Sequence, residues 1–298
     1  MNSSSLPTIA FLGLGGMGLP MAHNLLKAGY PVIGWNRGSQ PLEQLAQDGG
    51  LRAAHPADIA EAQVLITMLP DDDVTRQVVI EQGALEALAK GSIWINMATV
   101  SVAHTQQMIA LCDKLGVRYV AAPVLGRVDV AAAGQLNILT SGPQELLDEV
   151  QPLFDVLGAK TWRFGDQPEQ AVAVKLGANF MLASAIEAMG ESSALVEAYG
   201  VGRGDFLGML TSTLFAAPAY KNYGAMIAEE RYSPAGFALK LGLKDVRLAQ
   251  QAAEQRHVPM GFAGVLRDNY LDALAHDQGD LDWSALATVS ARRSGQRK

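Results

Sequence analysis

The sequence predicts an α/β domain built on a doubly wound, mostly parallel sheet, followed by an all-helical domain. Three observations carry that expectation. Between Ile9 and Phe164 short apolar runs alternate with helical patterns, as in a parallel sheet covered by helices on both faces. The first apolar run leads into Gly13-Leu14-Gly15-Gly16-Met17-Gly18, a G-x-G-x-x-G turn between a predicted strand and a predicted helix. After Gly165-Asp166 strand signals stop, and from Glu169 the pattern is helical, punctuated near Gly200, Pro218, Pro234 and Pro259. The boundary is placed near Gly165, with one domain over 1–165 and an all-α domain over 166–298.

Taken in order, Ile9-Ala10-Phe11-Leu12 reads as the first strand, Leu19 to Ala28 as a helix, and Pro31 to Trp35 as the second strand. The glycines have separate duties in such a turn. Gly13 permits the tight bend, Gly15 lets a pyrophosphate approach the backbone, and Gly18 lets helix pack on strand. The helix N-terminus offers N–H groups and a positive dipole end to phosphates. Strand, turn, helix and strand in sequence point to a Rossmann-type dinucleotide site at residues 13–18. The second strand closes on Asn36-Arg37, where an acidic side chain would accept hydrogen bonds from the adenosine ribose. An arginine suits a 2′-phosphate and the missing carboxylate removes repulsion, so NADP(H) is expected over NAD(H); the alternative is an ordinary solvated loop cation.

Val64 to Met68, Ile93 to Asn96, Tyr119 to Ala122 and Leu136 to Leu139 read as further strands, with Thr161 to Phe164 at an edge. Asp73 to Ala89 and Val102 to Leu115 read as helices. Ligands of such sheets sit beyond the carboxyl ends of the strands. That places three loops at the site: Leu69-Pro70-Asp71, Met97-Ala98-Thr99-Val100, and Pro123-Val124-Leu125-Gly126-Arg127. Each is equally readable as a plain connection. Asp71 to Asp73 are expected to cap the following helix.

The chain of 298 residues is 49% hydrophobic and 18% charged, enough for a large core. A net charge of −7 argues against nucleic acid as a partner. The single cysteine, Cys112, excludes an internal disulfide and suits a reducing cytoplasm. Neither a signal peptide nor a membrane span is expected, and no metal-ligand spacing is evident.

Between Glu169 and Glu187 the only charged residue is Lys175. A helix apolar around its whole circumference is buried, and an ammonium placed there loses hydration unless partners or function offset the loss. Asn179, four residues on, shares its face. Burial lowers a lysine pKa from about 10.4 towards neutrality, where the group can exchange a proton. Spacing alone leaves two readings open: a catalytic pair, or a lysine that snorkels to water.

The stretches Gly13 to Ala22, Asn24 to Gly29, Met68 to Asp71, Asn96 to Ser101, Lys175 to Asn179 and Phe237 to Ala249 closely resemble the β-hydroxyacid dehydrogenase family. That family includes 3-hydroxyisobutyrate dehydrogenases, tartronate semialdehyde reductases and glyoxylate or succinic semialdehyde reductases. The resemblance implies a Rossmann domain, an all-helical domain, and a long helix between them carrying the catalytic lysine. By it, Lys175 is the general acid or base, Asn179 helps hold substrate, Thr99 lies near the nicotinamide, and Lys244 closes over the cofactor. Lys240 matches a lysine of the semialdehyde reductase branch. On spacing alone Lys240 and Lys244 could be a solvated helix face.

Two positions depart from the family pattern. Leu125 stands where a substrate-binding serine is usual, and Ala98 replaces another serine. Arg127 could take over a substrate carboxylate, the pocket could have turned to neutral carbonyls or imines, or Leu125 could simply pack. Related imine reductases have apolar pockets but commonly lack the lysine. The expectation is an NADP(H)-dependent oxidoreductase acting on a small carbonyl or hydroxy compound. The alternatives are an imine reductase or reductive aminase, and an NADP-binding interaction protein without turnover. Met181, Met189, Met209 and Met226 on apolar helices suggest a homodimer, or ordinary core filling.

Overall fold

Ile9–Leu12 form the first strand, β1, and all four side chains are fully buried, as a strand covered on both faces requires. In this computed structural model, which describes residues 6–296, β1 lies in a six-stranded parallel sheet with β2 (Val32–Trp35), β3 (Leu51–Arg52), β4 (Val64–Thr67), β5 (Ile93–Asn96) and β6 (Arg118–Ala121). The order is β3-β2-β1-β4-β5-β6. The chain therefore reverses its direction of travel across the sheet beside β1, and the crevice at the carboxyl ends opens there.

The helices of this part are α1 (Gly18–Lys27), α2 (Ser39–Gln47), α3 (Asp72–Thr75), α4 (Ala84–Ala87), α5 (Val102–Leu115), α6 (Val128–Ala132), α7 (Gln144–Leu157) and α8 (Pro168–Ala198). The chain divides into two compact units, Met1–Lys175 and Leu176–Lys298. The first packs Ile9, Phe11, Leu25, Ile66, Ile95, Val120 and Phe154 into one core. In the second, α9 (Arg203–Ser212), α10 (Pro218–Ala228), α11 (Leu239–Glu254), α12 (Gly261–Ala275) and α13 (Thr288–Arg293) follow α8. Their core gathers around Trp283, which meets Tyr223 and Phe237 edge-to-face at 5.6 and 4.9 Å.

Two local features differ from the sequence reading. The strands near 136 and 161 do not extend the main sheet. β8 (Leu136–Thr140) and β9 (Gly158–Arg163) pair in parallel, and β8 pairs antiparallel with β7 (Val124–Leu125) in a separate three-stranded sheet. Only Ala122 and Pro123 separate β6 from β7, too few residues for a parallel crossover. The expected helix over 73–89 is α3, a π-helical stretch Arg76–Glu81, a left-handed Gly83 (φ 77°) and then α4. Asp71 does cap α3, its side chain accepting the Val74 N–H at 2.8 Å. Cys112 is fully buried, and burial pushes its thiol up to about 12. Helix α8 is long and apolar enough by composition to cross a bilayer, with mean hydropathy 1.3, yet half of that window is buried inside the protein.

Candidate active site

The turn after β1 is shaped by its missing side chains. Gly13 has φ 98°, and a methyl there would fall 2.4 Å from the Met68 carbonyl oxygen and 2.9 Å from a Leu69 methyl. At Gly18, the first residue of α1, a methyl would lie 1.8 Å from the Gly13 carbonyl oxygen. The third and fourth loop positions behave differently. Nothing lies within 4 Å of a methyl at Gly15, and at Gly16 the nearest atom is a Val128 methyl at 3.5 Å. Gly13 thus lets the turn press on the loop after β4 and Gly18 closes α1 on the turn's own backbone, while Gly15 and Gly16 leave an open approach. The cradle fits a dinucleotide pyrophosphate at the start of α1.

Loop and second strand are tied together. The Leu14 N–H donates to Asn36 Oδ1 at 3.0 Å, and Asn36 Nδ2 donates to the Gly38 carbonyl at 3.1 Å. Leu14 is buried and Met17, at the N-cap of α1, is half-buried. Arg37 is exposed beside this junction, with Pro70 exposed and Leu69 buried at the end of β4. Thr99 is half-buried after β5. The Ser101 N–H donates to Asp72 Oδ1 at 2.8 Å, so the loops after β4 and β5 are joined.

The short strand β7 brings in the remaining residues of this unit. The Pro123 carbonyl accepts the Leu139 N–H at 2.9 Å. By strand alternation the next carbonyl, that of Val124, faces the open edge of β7. There it accepts from Lys175 Nζ at 2.7 Å, and Lys175 is only 8% exposed. Val124 is buried, Leu125 and Arg127 are half-buried, and Gly126 is exposed with φ 148°. Helix α6 starts next to the glycine turn, because Val128 lies against Gly16 and Asn24 Nδ2 of α1 donates to the Ala131 carbonyl at 2.9 Å. The lysine, the 124–127 loop and the glycine cradle are therefore parts of one packed unit.

In the helical unit Asn179 is 4% exposed, and its amide Nδ2 donates to Asp245 Oδ2. Asp245 is 1% exposed and its Oδ1 lies 3.2 Å from the Lys244 ammonium. Asp245 thus gathers two of the residues singled out from sequence. The sequence reading missed it, although an acid next to Lys244 on a helix whose neighbours Leu243 and Val246 are apolar was the available signal. Lys240 is exposed and hydrogen-bonded to Asp280 at 2.6 Å. Among the described residues no cluster of His, Cys, Asp or Glu could hold a metal ion.

Known proteins give this arrangement a place. Residues 8–165 match the NAD binding domain of 6-phosphogluconate dehydrogenase, and residues 170–290 match the NAD-binding family of NADP-dependent 3-hydroxyisobutyrate dehydrogenase. The chain belongs to the β-hydroxyacid dehydrogenase family. It is an NAD(P)-dependent oxidoreductase, like its named relatives. This β-hydroxyacid dehydrogenase is 41% identical to an uncharacterized oxidoreductase of Bacillus subtilis, over 93% of this chain and 98% of that one. It is 33% identical to glyoxylate/succinic semialdehyde reductase 1 of Arabidopsis thaliana, over 93% and 96%. The structure of Mycobacterium tuberculosis 3-hydroxyisobutyrate dehydrogenase with L-serine superposes with TM-score 0.85 at 30% identity, over 95% and 98% of the two chains.

Proposed function

We propose that this β-hydroxyacid dehydrogenase interconverts a small aldehyde or ketone acid and its hydroxy acid, with NADP(H) preferred over NAD(H) and Lys175 as the general acid and base. The observation that carries the reading is the Lys175–Val124 hydrogen bond. It fixes a nearly buried ammonium in the unit that also holds the glycine cradle. When bound, the nicotinamide supplies the hydrogen and electron pair that reduce the carbonyl carbon. Everything else falls to the chain. Lys175 donates a proton to the carbonyl oxygen as negative charge develops there. An ammonium has three N–H donors and an amine two, so the Val124 carbonyl keeps one of them in either state and the nitrogen stays aimed after the proton leaves.

Asn179 follows Lys175 by one helical turn and orients the substrate through the amide group that Asp245 fixes. Leu125 gives the 124–127 loop an apolar wall, and Arg127 supplies a donor for the substrate carboxylate. Acid substrates are favoured because the Arabidopsis relative is named for glyoxylate and succinic semialdehyde. Arg37, exposed where an acidic residue would oppose a 2′-phosphate, supports the NADP(H) preference.

The test is NADPH absorbance with glyoxylate, succinic semialdehyde and other oxo acids, run beside cyclic imines and ketone–amine mixtures. Turnover of the acids is expected. Turnover of imines alone would instead make the protein an imine reductase with an apolar Leu125 pocket, and tight NADPH binding without any turnover would make it a binding module. The same reading includes a homodimer, supported by Met181 and Leu195, 71% and 61% exposed on one face of α8 with exposed Ala188 between them. A monomer mass by light scattering at micromolar concentration would remove it.

A further inference from the structure

A row of hydrogen-bonding side chains crosses the otherwise apolar main sheet. Trp94 Nε1 donates to Thr67 Oγ1 at 2.9 Å, the Thr67 hydroxyl lies 3.2 Å from Asn96 Oδ1, and Asn96 Nδ2 donates to the Tyr119 hydroxyl at 3.1 Å. The Trp94 and Tyr119 rings meet edge-to-face at 5.1 Å. These residues come from three adjacent strands, with Thr67 opposite Asn96 and Trp94 opposite Tyr119 in the ladder. All are buried, Thr67 and Trp94 fully and Asn96 to 1% exposure. Three polar side chains placed in a core cost desolvation unless satisfied, and a satisfied network is stiff.

The row ends at the loop after β5. Asn96 Oδ1 also accepts the Ala98 N–H at 3.1 Å. Ala98 precedes Thr99, and Thr67 sits at the end of β4, directly before Met68 and Leu69, which wall the glycine turn. One amide oxygen therefore receives a hydroxyl from the β4 end and a backbone N–H from the β5 loop. Loops carry few constraints of their own, and hydride transfer demands placement to within fractions of an ångström.

We infer that Asn96 is a positioning residue for the redox reaction: its amide, braced between Thr67 and Tyr119, sets the backbone of Ala98–Thr99, the loop that by the family resemblance would border a bound nicotinamide. The acceptor oxygen does the positioning, while the Nδ2 donor braces it against Tyr119. Asn96→Asp keeps an oxygen for the Ala98 N–H, whereas Asn96→Ser withdraws it. The inference deepens the proposed function and rests on it for the catalytic effect.

The experiment compares the wild type, Asn96→Ser, Asn96→Asp and Val150→Ala. The last is a cavity control in α7, whose buried side chain borders a cavity at the opposite, amino-terminal end of the strands with Ile93 and Val64. Hydrogen exchange of the Ala98–Thr99 amides in the protein without cofactor is the first readout. The second is steady-state reduction of glyoxylate or succinic semialdehyde with NADPH and with its 4-deuterated form. Losing one hydrogen bond of ordinary strength opens the loop about tenfold more often. Asn96→Ser should therefore exchange Ala98 about tenfold faster, lose about tenfold in kcat with KM changed less than threefold, and show a larger deuterium isotope effect. Asn96→Asp should recover most of the exchange protection. Val150→Ala should lower Tm and leave exchange at Ala98 and kcat near wild type. The inference is overturned if Asn96→Ser lowers Tm while Ala98 exchange matches Val150→Ala, or if Asn96→Asp is as fast-exchanging as Asn96→Ser. A wild type with no turnover would remove the functional reading alone, since the exchange comparison needs no substrate.

Discussion

Glu187 offers a sharp test of the packing of the helical unit. It sits midway along α8 at 1% exposure, with Oε1 accepting from Asn269 Nδ2 at 2.5 Å and Oε2 without a hydrogen-bond partner. Burial, and then the neighbouring Glu191 carboxylate, push its carboxyl up to about 7, against which Asn269 and Arg293 pull. Between roughly its ordinary carboxylate pKa and pH 7 the folded protein holds a proton here that the unfolded chain has released. Stability from this group is fully present below that window and is lost as pH rises through 7. The shift corresponds to about 3 kcal/mol across the window. Glu187→Gln keeps an oxygen for Asn269 and cannot ionise. Its Tm should exceed wild type by about 5 °C at pH 8, with the difference shrinking towards pH 5. Thermal melts of both proteins from pH 5 to 8 check this. Parallel curves, or a gap that widens on the acid side, would refute the reasoning.

Other perturbations separate the parts of the site. Lys175→Ala should cost about 10²–10⁴ in kcat while NADPH affinity, measured by fluorescence, stays within a few fold. Arg37→Ala should weaken NADPH by about tenfold or more, the scale of one charge-assisted hydrogen bond, and leave NADH nearly unchanged; equal effects in a titration would place the 2′-phosphate elsewhere. Gly15→Ala and Gly18→Ala should part company. With nothing within 4 Å of the new methyl, the first should keep its Tm and lose NADPH binding. The second, with its methyl 1.8 Å from the Gly13 oxygen, should lose Tm by calorimetry even without cofactor.

The glycine turn and the strands that flank it were legible because each feature has a local cause. Gly13 needs a positive φ, Gly18 needs contact with the Gly13 carbonyl, β1 is an unbroken apolar run, and β4 is apolar up to Thr67, both strands being buried on both faces. What escaped were features set by distant partners. β3 is two exposed residues that pair with β2, and β7 is two residues whose role depends on where Lys175 ends. The split of the sheet turned on Pro123 and a connection too short to cross over. At the site, Lys175 and Asn179 stood out as polar residues in an apolar helix. Asp245 did not, since its partner Asn179 lies 66 positions away. Asn96 likewise looked like an ordinary strand terminus until Thr67 and Tyr119 came beside it.

The Lys175–Val124 contact also bears on how a Lys175 variant is to be read. β7 has a strand on one side only, and natural proteins close such a flank by covering it or by setting a lysine there. Both devices meet here, since Val124 and Lys175 are only 5% and 8% exposed. Lys175→Ala would strip the buried Val124 carbonyl of this donor, so a variant made to test proton transfer would also be less stable.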